Sequence, residues 1–159
     1  MNMFSHIKDD HAQMVDISKK NDSLRIASAS GGIKLRPGTI DAIRNQQVTK
    51  GNVLATARIA AILAVKKTPE LIPMCHQVSI DSIDISFDVS STTITVEVTV
   101  KSDGKTGVEM DALTGVSAAL LTIWDMVKSA EKDETGNYPL TMIQEIKVIS
   151  KTKEEKSLE

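Results

Sequence analysis

The stretch "IDISFDVSSTTITVEVTV", Ile83 to Val100, decides how this chain folds. Ile83, Ile85, Phe87 and Val89 alternate with polar residues, and so do Ile94, Val96, Val98 and Val100 against Thr93, Thr95, Glu97 and Thr99. Successive side chains of an extended segment point to opposite faces, so each run has one apolar face and one wet face. That pattern predicts an antiparallel hairpin covered by helices on one side only. Val78 and Ile80 have the opposite parity to Ile83, which predicts a bulge near Asp81 and Ser82.

Downstream, "KSDGKTGVEMDALTG" (Lys101 to Gly115) contains Gly104-Lys105-Thr106, the closing triplet of a P-loop. A P-loop also needs a glycine five residues upstream, so that backbone N–H groups curl around the phosphates. Thr99 stands there, β-branched and inside a strand pattern, so the P-loop reading fails. A helix follows from about Gly107 to Glu131, with Val108, Ala112, Val116, Ala119, Leu120, Ile123 and Val127 as its apolar stripe. "LTMIQEIKVIS" then reads as a last strand.

Upstream, "SLRIASASGGIKL" (Ser23 to Leu35) reads as a first strand with Gly31-Gly32 as a bulge or bend. "RPGTIDAIRNQQ" combines a Pro37-Gly38 turn with a short helix, Thr39 as its N-cap. "NVLATARIAAILAVKK" is a helix with Leu54, Ala57, Ala61 and Ala64 on one stripe, its alanines allowing a neighbouring backbone close. Pro69 and Pro73 interrupt regular structure after it. The order β-α-(α)-β-β-α-β is that of an α+β ferredoxin-like sandwich: a four-stranded antiparallel sheet with helices on one face.

The chain has 159 residues, which suits a single domain over 1–159 with a core of about 14–150. The polar first 13 residues and the charged tail, 151–159, are expected to be mobile. Aromatic residues are 3%, so base stacking is excluded as the main activity, and a net charge of −2 gives no general attraction to nucleic acid or acidic membranes. Cys75 is the only cysteine, so neither an intrachain disulfide nor a Cys-Cys zinc site exists. The longest apolar run, Ile59 to Val65, is far short of the ~20 residues of a spanning helix. The N-terminus carries charge where a signal peptide needs an apolar core, so a soluble, cytoplasmic protein is expected.

Candidate site residues each have a plain alternative. Thr106-x-x-Glu109 fits a capping box, a structural role for Glu109; the adjacent Gly104–Gly107 turn and helix start suit an anion. Asp111 in the same turn is ordinary on its own. Asp125 and Lys128 are neighbours on the helix and read as a solvated pair, or as a carboxylate tuned beside Trp124 and Met126 for proton transfer. Cys75 and His76 are adjacent in a proline-bounded loop and point apart, which argues against a nucleophile pair. Lys50 precedes a helix start, where a phosphate could sit. Asp111 and Asp125 are 14 residues apart, ~21 Å in an unbroken helix, so both can serve one small pocket only if a second subunit supplies one of them.

"KGNVLATARIAAILAVKKTPELIPMCH", "GKTGVEMDALTGVSAALLTIWDM" and "VKSAEKD" closely resemble the cyclic pyranopterin monophosphate synthase family of molybdenum cofactor biosynthesis, over about Met14 to Val148. The resemblance implies a ferredoxin-like subunit in a homohexamer, a trimer of dimers, with sites at the dimer interface. It implies a GTP-derived substrate, 3′,8-cyclo-7,8-dihydroguanosine triphosphate, and the products cyclic pyranopterin monophosphate and pyrophosphate. Family active-site positions fall on Lys50, His76, Glu109, Asp111, Asp125 and Lys128, and substrate contacts on Met74, Cys75, His76, Met110, Asp111 and Lys50. Many members carry Glu where this chain has Asp111. The tail lacks the Gly-Lys-Ser-Gly run of many members, leaving Lys151 or Lys153 for any phosphate contact there. No electrons move in this chemistry, so no redox cofactor is expected, and magnesium would arrive only with the triphosphate. Asp125 is the first choice for proton transfer, helped by Lys128, with His76, Glu109 and Asp111 in support; Lys50 and Lys128, then Lys105, would hold phosphates. The rival reading is a non-catalytic ferredoxin-like module that binds a nucleotide at a subunit boundary.

Overall fold

The computed structural model describes residues 7–8 and 11–155. Two short strands, β1 (Ile7–Lys8) and β2 (His11–Ala12), pair with each other. The main body follows as β3 (Ser23–Lys34), α1 (Pro37–Arg44), α2 (Val53–Lys66), α3 (Thr68–Leu71), β4 (Ser82–Val89), β5 (Thr93–Gly104), α4 (Glu109–Glu131) and β6 (Met142–Glu155). The four long strands form one antiparallel sheet in the order β4-β5-β3-β6. This is the expected ferredoxin-like α+β sandwich.

The β4–β5 hairpin pairs as its alternation requires, with Ile83 opposite Val100, Ile85 opposite Val98 and Val89 opposite Ile94. Ile94, Val96, Val98 and Val100 are fully buried, and α4 lies over them with its apolar stripe. α2 packs against α4, and Gly115 faces Val65 of α2 and Val98 of the sheet at close range. A Cβ at Gly115 would stand 2.8 Å from Val65 Cγ2 and 3.1 Å from Val98 Cγ1. Among the described residues α4 alone has the length and hydropathy of a membrane span, yet half of that window is buried inside the protein.

Some local expectations hold and others are corrected. The strand β4 begins at Ser82, opposite Lys101, and the Asp81 N–H bonds to that same residue's carbonyl, so two residues oppose one where the bulge is expected. Asp81 Oδ2 also accepts the Asp103 N–H at 2.8 Å. Gly31 and Gly32 pair regularly with β5. Toward β6 the expected irregularity is present: the register shifts between Ser30 and Gly32, across Gly31, with a second shift between Ser28 and Ala29, and Glu145 takes a φ of 55°. Gly31 is needed for clearance, because a Cβ there would stand 2.9 Å from side chains of Ile146, Leu120 and Val116. The buried stripe of α2 is Val53, Ala57, Ala61 and Val65; Leu54 and Ala64 are only half-buried beside it. Pro69 stands in the first turn of the short α3, after α2 has ended at Lys66, so the regular helix is interrupted there as expected. Of the tail expected to be mobile, 151–155 continue β6 to Glu155, paired with β3 from Ser23, while 156–159, like most of the first ten residues, lie outside the described residues.

Thr39 does not cap α1. Its hydroxyl donates to Glu131 Oε1, and Thr141 donates to Glu131 Oε2 at 2.6 Å. The Arg36 N–H reaches the same carboxylate at 3.1 Å. Glu131, fully buried, thus ties the end of α4 to the start of α1 and the approach to β6. Three donors from two segments offset the cost of burying this polar group.

Candidate active site

Two groups of chemistry-bearing side chains lie toward opposite ends of α4. At the C-terminal end Lys50, Asp125 and Lys128 meet. Lys50 Nζ donates to Asp125 Oδ2 at 3.0 Å and to the Asp125 carbonyl at 2.8 Å; Lys128 Nζ lies 3.0 Å from Oδ1. Local structure places Lys50 there. Asn52 caps α2 by accepting from Ala55 N–H, and Gly51 turns the chain at a φ of 104°. The hydrogen bonds and charges of Lys50 and Lys128 hold the Asp125 carboxyl below its ordinary range, and Asp125 in turn raises Lys128. The apolar environment expected from Trp124 and Met126 does not reach Asp125, whose side chain is 59% exposed while Met126 turns into the core. Trp124 instead stacks edge-on against Tyr138 with ring centroids 5.4 Å apart.

At the N-terminal end a cleft of about 650 Å³ is lined by Ile72, Met74, Cys75, His76, Thr106, Glu109 and Met110, with Val15, Ile17 and Lys20 from the N-terminal segment. Burial pushes the Cys75 thiol up, and the charges of Asp111 and Glu109 push it further, so it remains a protonated thiol. Glu109 does not close a capping box: Val108 is the N-cap of α4, without a side-chain bond. The Glu109 carboxylate pairs with Lys151 Nζ at 2.7 Å and folds over Gly107, so a Cβ there would displace it. Burial raises the Glu109 carboxyl, but the Lys151 bond and the charges of Lys151 and Arg25 outweigh it and leave it lowered. Asp111 is 2% exposed and does not line the cleft. Burial raises its carboxyl, and Glu109 adds to the shift against bonds from its own backbone and Thr68. Lys105 donates to the Ser18 carbonyl at 3.0 Å.

A second cleft of about 350 Å³ adjoins Glu109 and is lined by Arg25, Lys151 and Lys153. Arg25 and Lys153 are register partners, and Lys151 stands two residues on, so all three share one face of the sheet. Arg25 had no signal of its own in the sequence. Lys151 and Lys153 alternate with Thr152, a strand period that a tail read as mobile concealed. Among the described residues no three His, Cys, Asp or Glu side chains gather closely enough to hold a metal ion.

Within one chain the two groups do not meet. Met74, Cys75, His76, Glu109 and Met110 share one cleft, Lys50, Asp125 and Lys128 form another cluster, and Asp111 is buried behind the first. The chain is thus an α+β sandwich with a lysine-bridged carboxylate at one end of its central helix and a carboxylate–cation cleft at the other. The MoaC family model matches residues 14–154, and the chain belongs to that family. It is 66% identical to a probable cyclic pyranopterin monophosphate synthase of Methanococcoides burtonii, over 97% of each chain. Proteins of the same name from Methanospirillum hungatei and Archaeoglobus fulgidus are 61% and 62% identical, over 98% and 94% of this chain and 99% and 96% of theirs.

Proposed function

We propose that this chain is a cyclic pyranopterin monophosphate synthase that converts (8S)-3′,8-cyclo-7,8-dihydroguanosine 5′-triphosphate to cyclic pyranopterin monophosphate and pyrophosphate. The coarser role, an enzyme of molybdenum cofactor biosynthesis, follows from family membership itself. The single observation that carries the finer reading is the cluster of Lys50 and Lys128 on one carboxylate, Asp125.

The reaction opens a purine-derived ring, closes a pterin and forms a cyclic phosphate as pyrophosphate leaves. Each ring step moves protons without net electron transfer. Asp125, held as a carboxylate, accepts a proton, and Lys128 and Lys50 supply donors and offset charge developing beside it. Glu109 and His76 act from the other cleft, and Asp111 supports them from behind. Lys151, Arg25 and Lys153 form a cationic wall suited to a polyphosphate.

The site is completed by a second subunit in a homohexamer, a trimer of dimers. Two observations support this: the ~21 Å of helix between Asp111 and Asp125, and the exposed Leu121, Ile146, Val148 and Ile149 on α4 and β6, apolar surface of the kind that marks an interface. Supplying the cyclised nucleotide and measuring pyrophosphate and pterin tests the reading. Turnover by the wild type and its loss in Asp125→Asn and Lys50→Ala is expected. Nucleotide binding without turnover would instead favour a non-catalytic module.

A further inference from the structure

His76 Nε2 lies 2.7 Å from the carbonyl oxygen of Val15. A carbonyl oxygen can only accept, so Nε2 carries the proton, and in the neutral ring Nδ1 is left as the acceptor. Val15 belongs to residues 13–22, a segment without helix or strand that runs along the 650 Å³ cleft. The segment is pinned to the body at one further point and stiffened by a bond of its own. Lys105 Nζ donates to the Ser18 carbonyl at 3.0 Å, and Asp16 Oδ1 accepts the Ser18 N–H at 2.8 Å. Val15, Ile17 and Lys20 line the cleft that His76 also lines.

We infer that this strap fixes His76 as the Nε2–H tautomer, so that Nδ1 is the nitrogen that exchanges protons with a ligand held in the cleft. The step balances without a co-reactant. A ligand N–H or O–H bond breaks, its electron pair stays on the ligand, and an Nδ1–H bond forms. The resulting imidazolium keeps its Nε2–H bond to Val15, which orients the ring, and Nδ1 later returns the proton to the ligand. The tautomer rests on geometry alone; the identity of the ligand rests on the function proposed above.

Nitrogen-15 spectra of the full-length labelled protein decide the first half. The His76 ring signals are assigned by their loss in His76→Gln. At alkaline pH, where imidazole is neutral, the Nε2–H pattern is expected. An Nδ1–H pattern, or an average of the two, overturns the inference. Lys105→Met removes the tie between Ser18 and the body and should shift the ring toward the averaged pattern; an unchanged pattern would show that the strap is not what fixes it.

Kinetics decide the second half. A glutamine amide nitrogen reproduces the Nε2 donor to Val15 but provides no base at Nδ1. His76→Gln should therefore keep KM near the wild-type value and lose roughly 100-fold in kcat, the scale of a general acid–base contribution. Retained kcat would mean that His76 merely anchors the strap, which overturns the role given to Nδ1. A wild type inert toward the cyclised nucleotide would overturn the proposed function and the proton-transfer half together, while the spectra still decide the tautomer.

Discussion

Lys50 and Asp125, 75 residues apart in sequence, meet at 3.0 Å where the loop before α2 passes the last turns of α4. Both side chains are about half exposed, so the pair contributes little to stability and is weakened by salt. Asp125→Asn should leave the melting temperature unchanged and lower kcat by about 100-fold. The folded value of the Asp125 carboxyl is depressed, so its ionised form is present above the ordinary carboxylate value and is lost only as pH falls through the depressed one. In Lys50→Ala, where one of the two lysines holding that proton off is gone, the Asp125 carboxyl should titrate at higher pH than in the wild type, as carbon-13 spectra of the carboxyl can read.

Glu131 makes the opposite kind of contribution. It is fully buried and accepts from Thr39, Thr141 and the Arg36 N–H. Glu131→Ala leaves those donors without a partner and should cost about 3 kcal/mol in urea unfolding, whereas Thr39→Val and Thr141→Val should each cost about 1 kcal/mol. Equal, small losses in all three variants would show that water satisfies the donors and that the carboxylate is no clamp.

Gly115 sits in mid-helix, where alanine would ordinarily gain about 1 kcal/mol. Here the added Cβ meets Val65 and Val98, both β-branched and stiff at χ1, on two separate elements. Overpacking of this kind costs about 1–3 kcal/mol, so Gly115→Ala should be net destabilising by about 1 kcal/mol. A rise in the denaturation midpoint would mean that α2 and the sheet can move apart.

The hairpin and α4 were legible because their periods are local. One side-chain position in two, or one face in a helix, is dictated by the core each element covers, as Val96, Val98, Val116 and Leu120 illustrate. The caps were not legible in the same way. Thr39 and Thr106-x-x-Glu109 carry the local pattern of a cap, but their partners, Glu131 and Lys151, come from other elements 92 and 42 residues away. The Lys50–Asp125 pair and the Arg25–Lys151–Lys153 wall depend on loop paths and strand register, which no short window encodes. The tail misled because β6 is an edge strand. Its side chains are largely exposed, so its composition is that of a solvated segment although its backbone is paired.

Asp111 should reveal itself through pH. Burial raises its carboxyl above the usual 3.8. The protonated form is the one folding favours, so its stabilising contribution is complete below 3.8 and is lost as pH rises through the folded value. Asp111→Asn, neutral at every pH, should melt higher than the wild type near neutrality, and the gap should close in acid. A gap that does not vary with pH would point to packing rather than charge.

The separation of the two clusters along α4 makes a prediction about mixtures. If each site joins Lys50, Asp125 and Lys128 of one subunit to His76 and Glu109 of another, Asp125→Asn and His76→Gln damage different halves of it. Each variant alone should be nearly inactive. After co-refolding in equal amounts into mixed oligomers, random assembly leaves about one quarter of shared sites with two intact halves. Activity should therefore return toward about a quarter of the wild-type rate per subunit. A site made within one chain would instead leave every copy with one defect, and the mixture would be as inactive as its components. Mixing without refolding is the internal control: recovery should appear only as fast as subunits exchange, which native mass spectrometry of isotopically labelled and unlabelled protein can follow in parallel.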